Sequence, residues 1–306
     1  MRAMRLVCEK EFRQFLKEKG VIVVEKKEIS LHGRRDVRQL EPVGFELEAT
    51  TVWSFPDRGR WATHKGDYRG NWAPEIPRNL ILRYTQRGET VLDQMCGSGT
   101  TLVECKLLGR NAIGVDVNLN AVMLTLDRLS FSAGTIFEKA PETEIKVYHG
   151  DARNLDKISD NSIDLIATHP PYANIISYSK RESKSDGDLS VVSDIDEFVE
   201  NMRQVAAESF RVLKPGKVCA ILVGDTRRRK HYVPIAFRTM MAFLDAGFVL
   251  VEDIVKVQHN CQSTPLWRKK SLQWNFHLIM HEHLFVFRKP ESDRQKRLLK
   301  DSGKWW

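Results

Sequence analysis

Two stretches of this sequence carry residues that could do chemistry together. The first is Thr168-His169-Pro170-Pro171-Tyr172, directly after the apolar run Ile163-Asp164-Leu165-Ile166-Ala167. Consecutive prolines neither donate to a sheet ladder nor continue a helix, so the chain must leave a strand here in a stiff, extended turn with its carbonyls held in fixed directions. Tyr172 then has a ring available at the carboxyl edge of the strand, where open α/β sheets bind their ligands. A Pro-Pro loop with a packing tyrosine explains the five residues equally well, so the second stretch has to decide.

That stretch is Val91-Leu92-Asp93-Gln94-Met95-Cys96-Gly97-Ser98-Gly99-Thr100-Thr101, followed by the helical pattern Leu102 to Leu108. It reads as a short buried strand, a glycine turn and a helix start, an arrangement that lets backbone N–H groups approach a ligand closely. A second strand ends in Gly114-Val115-Asp116, which puts an acid 116 − 93 = 23 residues after Asp93. This spacing suits a carboxylate that accepts hydrogen bonds from the two hydroxyls of a ribose. The pair therefore implies a nucleoside-bearing cofactor. A nicotinamide domain would share the spacing, but the G-x-G-x-x-G run of dinucleotide binders is missing.

With these residues in place, the sequence resembles the S-adenosylmethionine-dependent amino-methyltransferases that modify the exocyclic nitrogen of adenine or cytosine. Residues 91–101 are similar to their cofactor loop, residues 169–172 to their (Asp/Asn/Ser)-Pro-Pro-(Tyr/Phe) tetrad, and Arg69 to Leu80 to the segment that covers the methionine end of the cofactor. The departure is His169 at the first tetrad position. The resemblance implies an S-adenosylmethionine site formed by Asp93, Met95, Cys96, Gly97, Ser98, Gly99 and Thr100, with Asp116 and Val117 at the ribose and Asp151 and Ala152 at the adenine. Thr63, His64 and Asn71 would lie at the methionine end. It also implies catalysis by His169, Pro170, Pro171 and Tyr172. For Asp151 the residues alone offer another reading, a helix N-cap.

The elements that must position these groups are legible as an α/β alternation, a seven-stranded doubly wound Rossmann-like sheet with a small basic N-terminal extension. Strands are expected near 90–93, 111–115, 145–148, 163–168, 217–223, 248–257 and 283–288, with helices near 100–108, 119–129, 194–212 and 233–246. Three segments are expected: a basic arm (1–50), the methyltransferase domain (51–290) and a polar tail (291–306). Leu6, Phe12, Phe15 and Leu16 can share a helical face that Gly20 would end, and Val21 to Val24 reads as a strand.

Composition narrows the partners. The 306 residues carry a net charge of +8, and residues 1–40 hold 11 Lys/Arg against 6 Asp/Glu. A polyanion is the natural counterpart of such a chain, although solvated basic faces account for part of the excess. No apolar run reaches membrane-spanning length, and Met1 to Gly20 is charged throughout, so neither a span nor a leader is expected. Five scattered cysteines without a Cys-x-x-Cys fit a reducing cytoplasm, and no metal is expected, His281 and His283 being two histidines without further ligands. The pattern says nothing of oligomeric state.

Nucleic-acid contacts are expected at Arg34 and Arg35 in the arm, at Arg227, Arg228, Arg229 and Lys230 after the fifth strand, and at a loop containing Trp267, Arg268, Lys269 and Lys270. A solvated charged face is the alternative for each. The aromatic stretch from Trp53 to Trp72 offers rings either for stacking bases or for packing on the sheet. Residues 194–289 are consumed by the sheet, leaving nothing of domain size to read a duplex sequence, so folded RNA such as ribosomal RNA is expected over duplex DNA. The expected reaction is N-methylation of an exocyclic amine, at cytosine N4 before adenine N6. A site-specific DNA methyltransferase and a non-catalytic nucleic-acid-binding scaffold are the alternatives.

Overall fold

A computed structural model describes residues 3–24, 27–68, 70–132, 142–171, 188–189, 192, 194–260 and 264–303. The chain opens with β1 (Arg5–Leu6), α1 (Glu9–Glu18), the hairpin of β2 (Val21–Val24) and β3 (Lys27–Ser30), β4 (Val52–Ser54) and α2 (Glu75–Tyr84). The alternating part follows with β5 (Thr90–Asp93), α3 (Thr100–Leu108), β6 (Asn111–Asp116), α4 (Leu119–Leu129), β7 (Ile145–His149), β8 (Ile163–Thr168) and α5 (Ile195–Val212). It continues with β9 (Leu213–Gly224), the hairpin of β10 (Thr226–Arg228) and β11 (His231–Val233), α6 (Ile235–Asp245), β12 (Val249–Val257), α7 (Thr264–Trp274), β13 (His281–Arg288) and α8 (Asp293–Leu298).

One sheet runs in the order β1-β7-β6-β5-β8-β9-β13-β12-β4. The seven expected strands are its interior, and the expected count is corrected to nine because the N-terminal region adds a short strand at each edge. β1 pairs antiparallel with β7, and β4 pairs parallel with β12. An edge strand of two or three residues is too short to show a period of two, which is why neither was foreseen. Leu6 belongs to β1 and is exposed, so it does not share the apolar face of α1, where Phe12 is buried.

Burial explains the central strands. All six residues of β8 are buried, as a parallel strand covered on both faces requires. One face packs against α2, α3 and α4, with Ile76, Leu80, Leu102 and Met123 in its core; Phe12, Ile22 and Ile29 of the N-terminal region join the same cluster. The other face carries α5 and α6, with Phe198, Phe243, Phe248, Phe285 and Phe287. Asp194 caps α5 by accepting from the backbone of Asp196 and Glu197, as an N-cap acid should. α7 replaces the expected basic loop, and α8 begins in the expected tail behind its N-cap Ser292. Because β13 runs antiparallel to both neighbours, the β12-to-β13 connection, including α7, lies at the carboxyl edge of the parallel strands, the edge where β5, β6, β8 and β9 end.

Candidate active site at the carboxyl edge

The site is organised by one buried carboxylate. Asp93, the last residue of β5, accepts from Thr168 Oγ1 at 2.9 Å, from the Met95 N–H at 3.2 Å and from Thr101 Oγ1 at 2.5 Å. A single side chain thus fastens the end of β8, the glycine loop and the first turn of α3 to one another. Burial pushes its carboxyl up to about 6, since the ionised form is cut off from water and the three donors compensate only in part.

The glycine loop needs its glycines. Gly97 and Gly99 have φ of 52° and 81°. A Cβ on Gly99 would stand 2.7 Å from Thr125 Cγ2, and one on Gly97 would press on the Tyr68 ring at 3.1 Å. Asp116, at the end of β6, accepts from the Gly97 N–H at 2.9 Å through one oxygen and from the Asn118 N–H at 2.8 Å through the other. Each oxygen keeps a lone pair for a further donor. Burial pushes this carboxyl too up to about 6, and the nearby Asp188 and Asp93 add to the rise. Val117 follows directly, its carbonyl bonded to the His149 ring at 3.0 Å. Asn71 donates to Ser98 Oγ at 3.1 Å, which closes the preceding segment over the loop.

These residues fit the cofactor that the sequence implies. A ribose hydroxyl pair is a natural donor to the Asp116 carboxylate, and a cationic ligand would offset the buried negative charge at Asp93. The Thr100 hydroxyl, in the first turn of α3, is buried without a hydrogen-bond partner among the described residues, as expected beside a polar ligand.

Beyond Thr168 the chain turns through His169, Pro170 and Pro171. No hydrogen bond among the described residues engages the Pro170 carbonyl. The His169 ring stacks on Trp72 with centroids 5.9 Å apart and 25° between planes, and its Nε2 lies 4.0 Å from Glu282 Oε1. Burial pulls the imidazole down to about 4, with Glu282 opposing, so the ring is neutral near pH 7. Glu282 is itself buried and bonded to Lys256 Nζ at 2.9 Å. The period of β13 separates its face from that of His281 and His283; His283 instead binds Asp253 at 2.9 Å. Sequence reading missed Glu282. The signal lay in its being a lone acid in an apolar strand, though which strand would flank the turn was not legible. Tyr172 lies outside the described residues.

Other expected site residues are placed differently. Thr63 donates to the Arg128 carbonyl at 2.7 Å, and the buried His64 ring lies against Glu104 at 2.7 Å. Glu104 also accepts from Trp61 and Arg78, so these residues join α2 to α3; Asn71, by contrast, is hydrogen-bonded to Ser98 of the glycine loop. Asp151 caps no helix: both its oxygens accept from the Arg153 side chain, which goes on to Asn201. Its neighbour Ala152 is buried in the core on the α5 and α6 face. Trp53, Trp61 and Trp72 are all buried, so packing accounts for that aromatic stretch. Arg35 ion-pairs with the buried Asp127, which also takes the backbone N–H groups of His32 and Gly33. Arg35 is therefore an internal anchor, whereas Arg34 is exposed. Arg227 to Lys230 form the β10-to-β11 hairpin, with Arg229 and Lys230 at its positive-φ turn, and Trp267 to Lys270 lie on α7. Both elements are on the carboxyl edge.

Comparison with known proteins points to one family. The profile of the DNA methylase family matches residues 8–127 and 163–304, and that of the RMKL-like methyltransferase domain matches residues 80–185. A tRNA (guanine(10)-N2)-dimethyltransferase of Methanothermobacter thermautotrophicus is 33% identical over 39% of this chain and 32% of its own length. The type II methyltransferase M.MthZI of the same organism is 24% identical over 54% and 52%. The DNA adenine methyltransferase YhdJ of Escherichia coli is 26% identical over 53% and 55%. The chain thus spans about a third to a half of the length of these three curated relatives. A crystal structure of an S-adenosylmethionine-dependent methyltransferase from Methanosarcina mazei aligns with a TM-score of 0.45 at 16% identity, over 70% of this chain and 98% of that one. With a family match over most of its length and the glycine loop, Asp116 and the proline turn all on one sheet edge, the chain belongs to the DNA methylase family of S-adenosylmethionine-dependent methyltransferases.

Proposed function

We propose that this protein methylates the exocyclic amine of a base in folded RNA, cytosine N4 being the preferred target, and that it works in the cytoplasm. The observation that carries the reading is the Asp93 junction, which fixes the glycine loop and the Pro170 turn to the same carboxylate. S-adenosylmethionine supplies a methyl group on a sulfonium, a carbon already activated for attack.

What remains for the protein is to make an amine nucleophilic and aim it. The lone pair of an exocyclic amine is partly delocalised into the ring, and acceptors on its N–H bonds draw the nitrogen toward a tetrahedral state. The Pro170 carbonyl is one such acceptor, held in a fixed direction by the prolines on either side of its peptide bond. His169 serves by holding the turn against Trp72, and Tyr172 by stacking on the extruded base. Asp93, Met95, Cys96, Gly97, Ser98, Gly99, Thr100, Asp116, Val117 and Asn71 would hold the cofactor. Asp151 would join them at the adenine only by sharing its carboxylate with Arg153.

RNA is favoured by the similarity to the tRNA enzyme and by the rim of basic and aromatic residues. The DNA methyltransferase relatives support the second reading, a site-specific DNA amino-methyltransferase. Nucleoside mass spectrometry on RNA and DNA from cells lacking the gene separates the two. Loss of N4-methylcytidine from RNA is the expected result. Loss of a methylated base from DNA alone would move the assignment to DNA, and unchanged nucleosides with no cofactor binding would leave a scaffold.

A further inference from the structure

The β10-to-β11 hairpin and α7 are separate in sequence but form one surface. Arg227 Nε donates to the His277 carbonyl just past α7 at 2.9 Å, and its guanidinium lies 5.6 Å from the Phe276 ring centroid. At the hairpin tip, Lys230 Nζ stands 5.5 Å from the Trp274 ring, while Lys270 of α7 stands 5.7 Å from the same ring and 4.8 Å from Trp267. Residues 226–233 and 264–277 together hold seven Lys/Arg and no Asp/Glu, in a chain whose whole net charge is +8. The surface lies on the side of the Pro170 turn away from the glycine loop, because β9, β13 and β12 follow β8 in the sheet and β5 and β6 precede it.

Resting on the function proposed above, we infer that this surface grips an unpaired stretch of the RNA next to the target base, with Trp274 as its stacking platform. The argument turns on what the rings are for. A duplex would meet the cations through its phosphates, but its bases are stacked on one another and cannot reach Trp274. That ring is 40% exposed, and the ammonium groups of Lys230 and Lys270 stand 5.5 and 5.7 Å from its centroid, where solvent and phosphate can take them over. An unstacked base can displace a lysine from the ring, and the freed ammonium then meets the adjoining phosphate, so stacking and ion pairing are satisfied together. Placement across the turn from the cofactor loop lets the strand deliver its base to one side of the Pro170 carbonyl while the methyl donor comes from the other.

The test uses the full-length protein and labelled RNA of one sequence, either single-stranded or annealed. Single strands should bind at least tenfold more tightly. Trp274→Ala should weaken single-strand binding about tenfold, the usual size of one base-on-ring stack, and leave S-adenosylhomocysteine affinity by calorimetry as in the unmodified protein. Lys270→Gln should lower the dependence of log affinity on log salt by about one for single strand and duplex alike. A duplex, of RNA or DNA, bound as tightly as the single strand, or a Trp274→Ala protein with undiminished preference for single strands, overturns the inference. Either result can occur with methylation intact, and single-strand preference can persist in a protein that methylates nothing, so the two proposals fail separately.

Discussion

The carboxyl edge of the sheet has two halves built on opposite principles. Around β5 and β6, charge is negative and withdrawn from solvent: Asp93 is buried, Asp116 is partly buried, and each carboxylate accepts at least two hydrogen bonds. On the β10-to-β11 hairpin and α7, which extend from β9 and β12, charge is positive, largely exposed and set against aromatic rings. A rigid buried site costs desolvation when the fold forms and then meets its ligand without rearrangement, which suits a small cofactor of fixed shape. An exposed cationic surface costs little and yields to whatever polyanion arrives, which suits a large and variable substrate. The Pro170 turn stands where the two halves meet.

The sharpest way to break this contrast is to remove one of these acids. Asp116→Ala should weaken S-adenosylhomocysteine binding by about a hundredfold or more in calorimetry while circular dichroism stays native, since its two partners are backbone N–H groups of partly exposed loop residues. Unchanged affinity would show that the acidic half is merely structural.

A smaller effect is expected from pH. Asp93 and Asp116 titrate near 6 in the folded chain against an ordinary value of 3.8, so between about pH 4 and 6 the folded state holds more protons than the unfolded one. The sign follows: the folded state is most favoured below about pH 4, where both acids are protonated in either state. It loses stability as pH rises to about 6 and the buried carboxyls ionise, and regains part of it from a cationic ligand that favours the ionised carboxylates. Affinity for S-adenosylhomocysteine, whose ammonium brings the charge, should fall about tenfold from pH 7.5 to pH 5, roughly one pKa unit of linkage. In Asp93→Asn that dependence should be reduced to the part carried by Asp116, and the unliganded protein should melt at a higher temperature at pH 7. A flat pH profile in the unmodified protein would mean that the ligand does not sense these acids.

The two halves also differ in how far sequence revealed them. On the cofactor side, Gly97, Gly99 and the 23-residue interval to Asp116 carry their reason locally, because a positive φ and a strand-end acid are requirements of the backbone itself. All seven interior strands, and the helices α3, α4, α5 and α6 between them, were readable by the same local logic. The failures lie where a residue's role depends on a distant partner. Arg35 reads as a surface cation, but Asp127 of α4 takes its guanidinium, and the Asp151 carboxylate, which could read as a helix cap, takes the Arg153 side chain instead. α7 has no clear apolar period, Leu266 and Leu272 both being exposed, so its basic residues read as a loop. His64 was given to the cofactor, whereas Glu104 holds it inside the protein.

The central claim is that one carboxylate holds cofactor loop and proline turn in register so that an amine on the turn faces the methyl donor. A crystal structure of the protein with S-adenosylhomocysteine tests it most directly. The account predicts the ribose on Asp116 and the sulfur between the Gly97 loop and the Pro170 carbonyl, within reach of a base nitrogen bonded to that carbonyl. A ligand bound away from the Gly97 loop, or a Pro170 carbonyl sealed off from it by side chains, would contradict it.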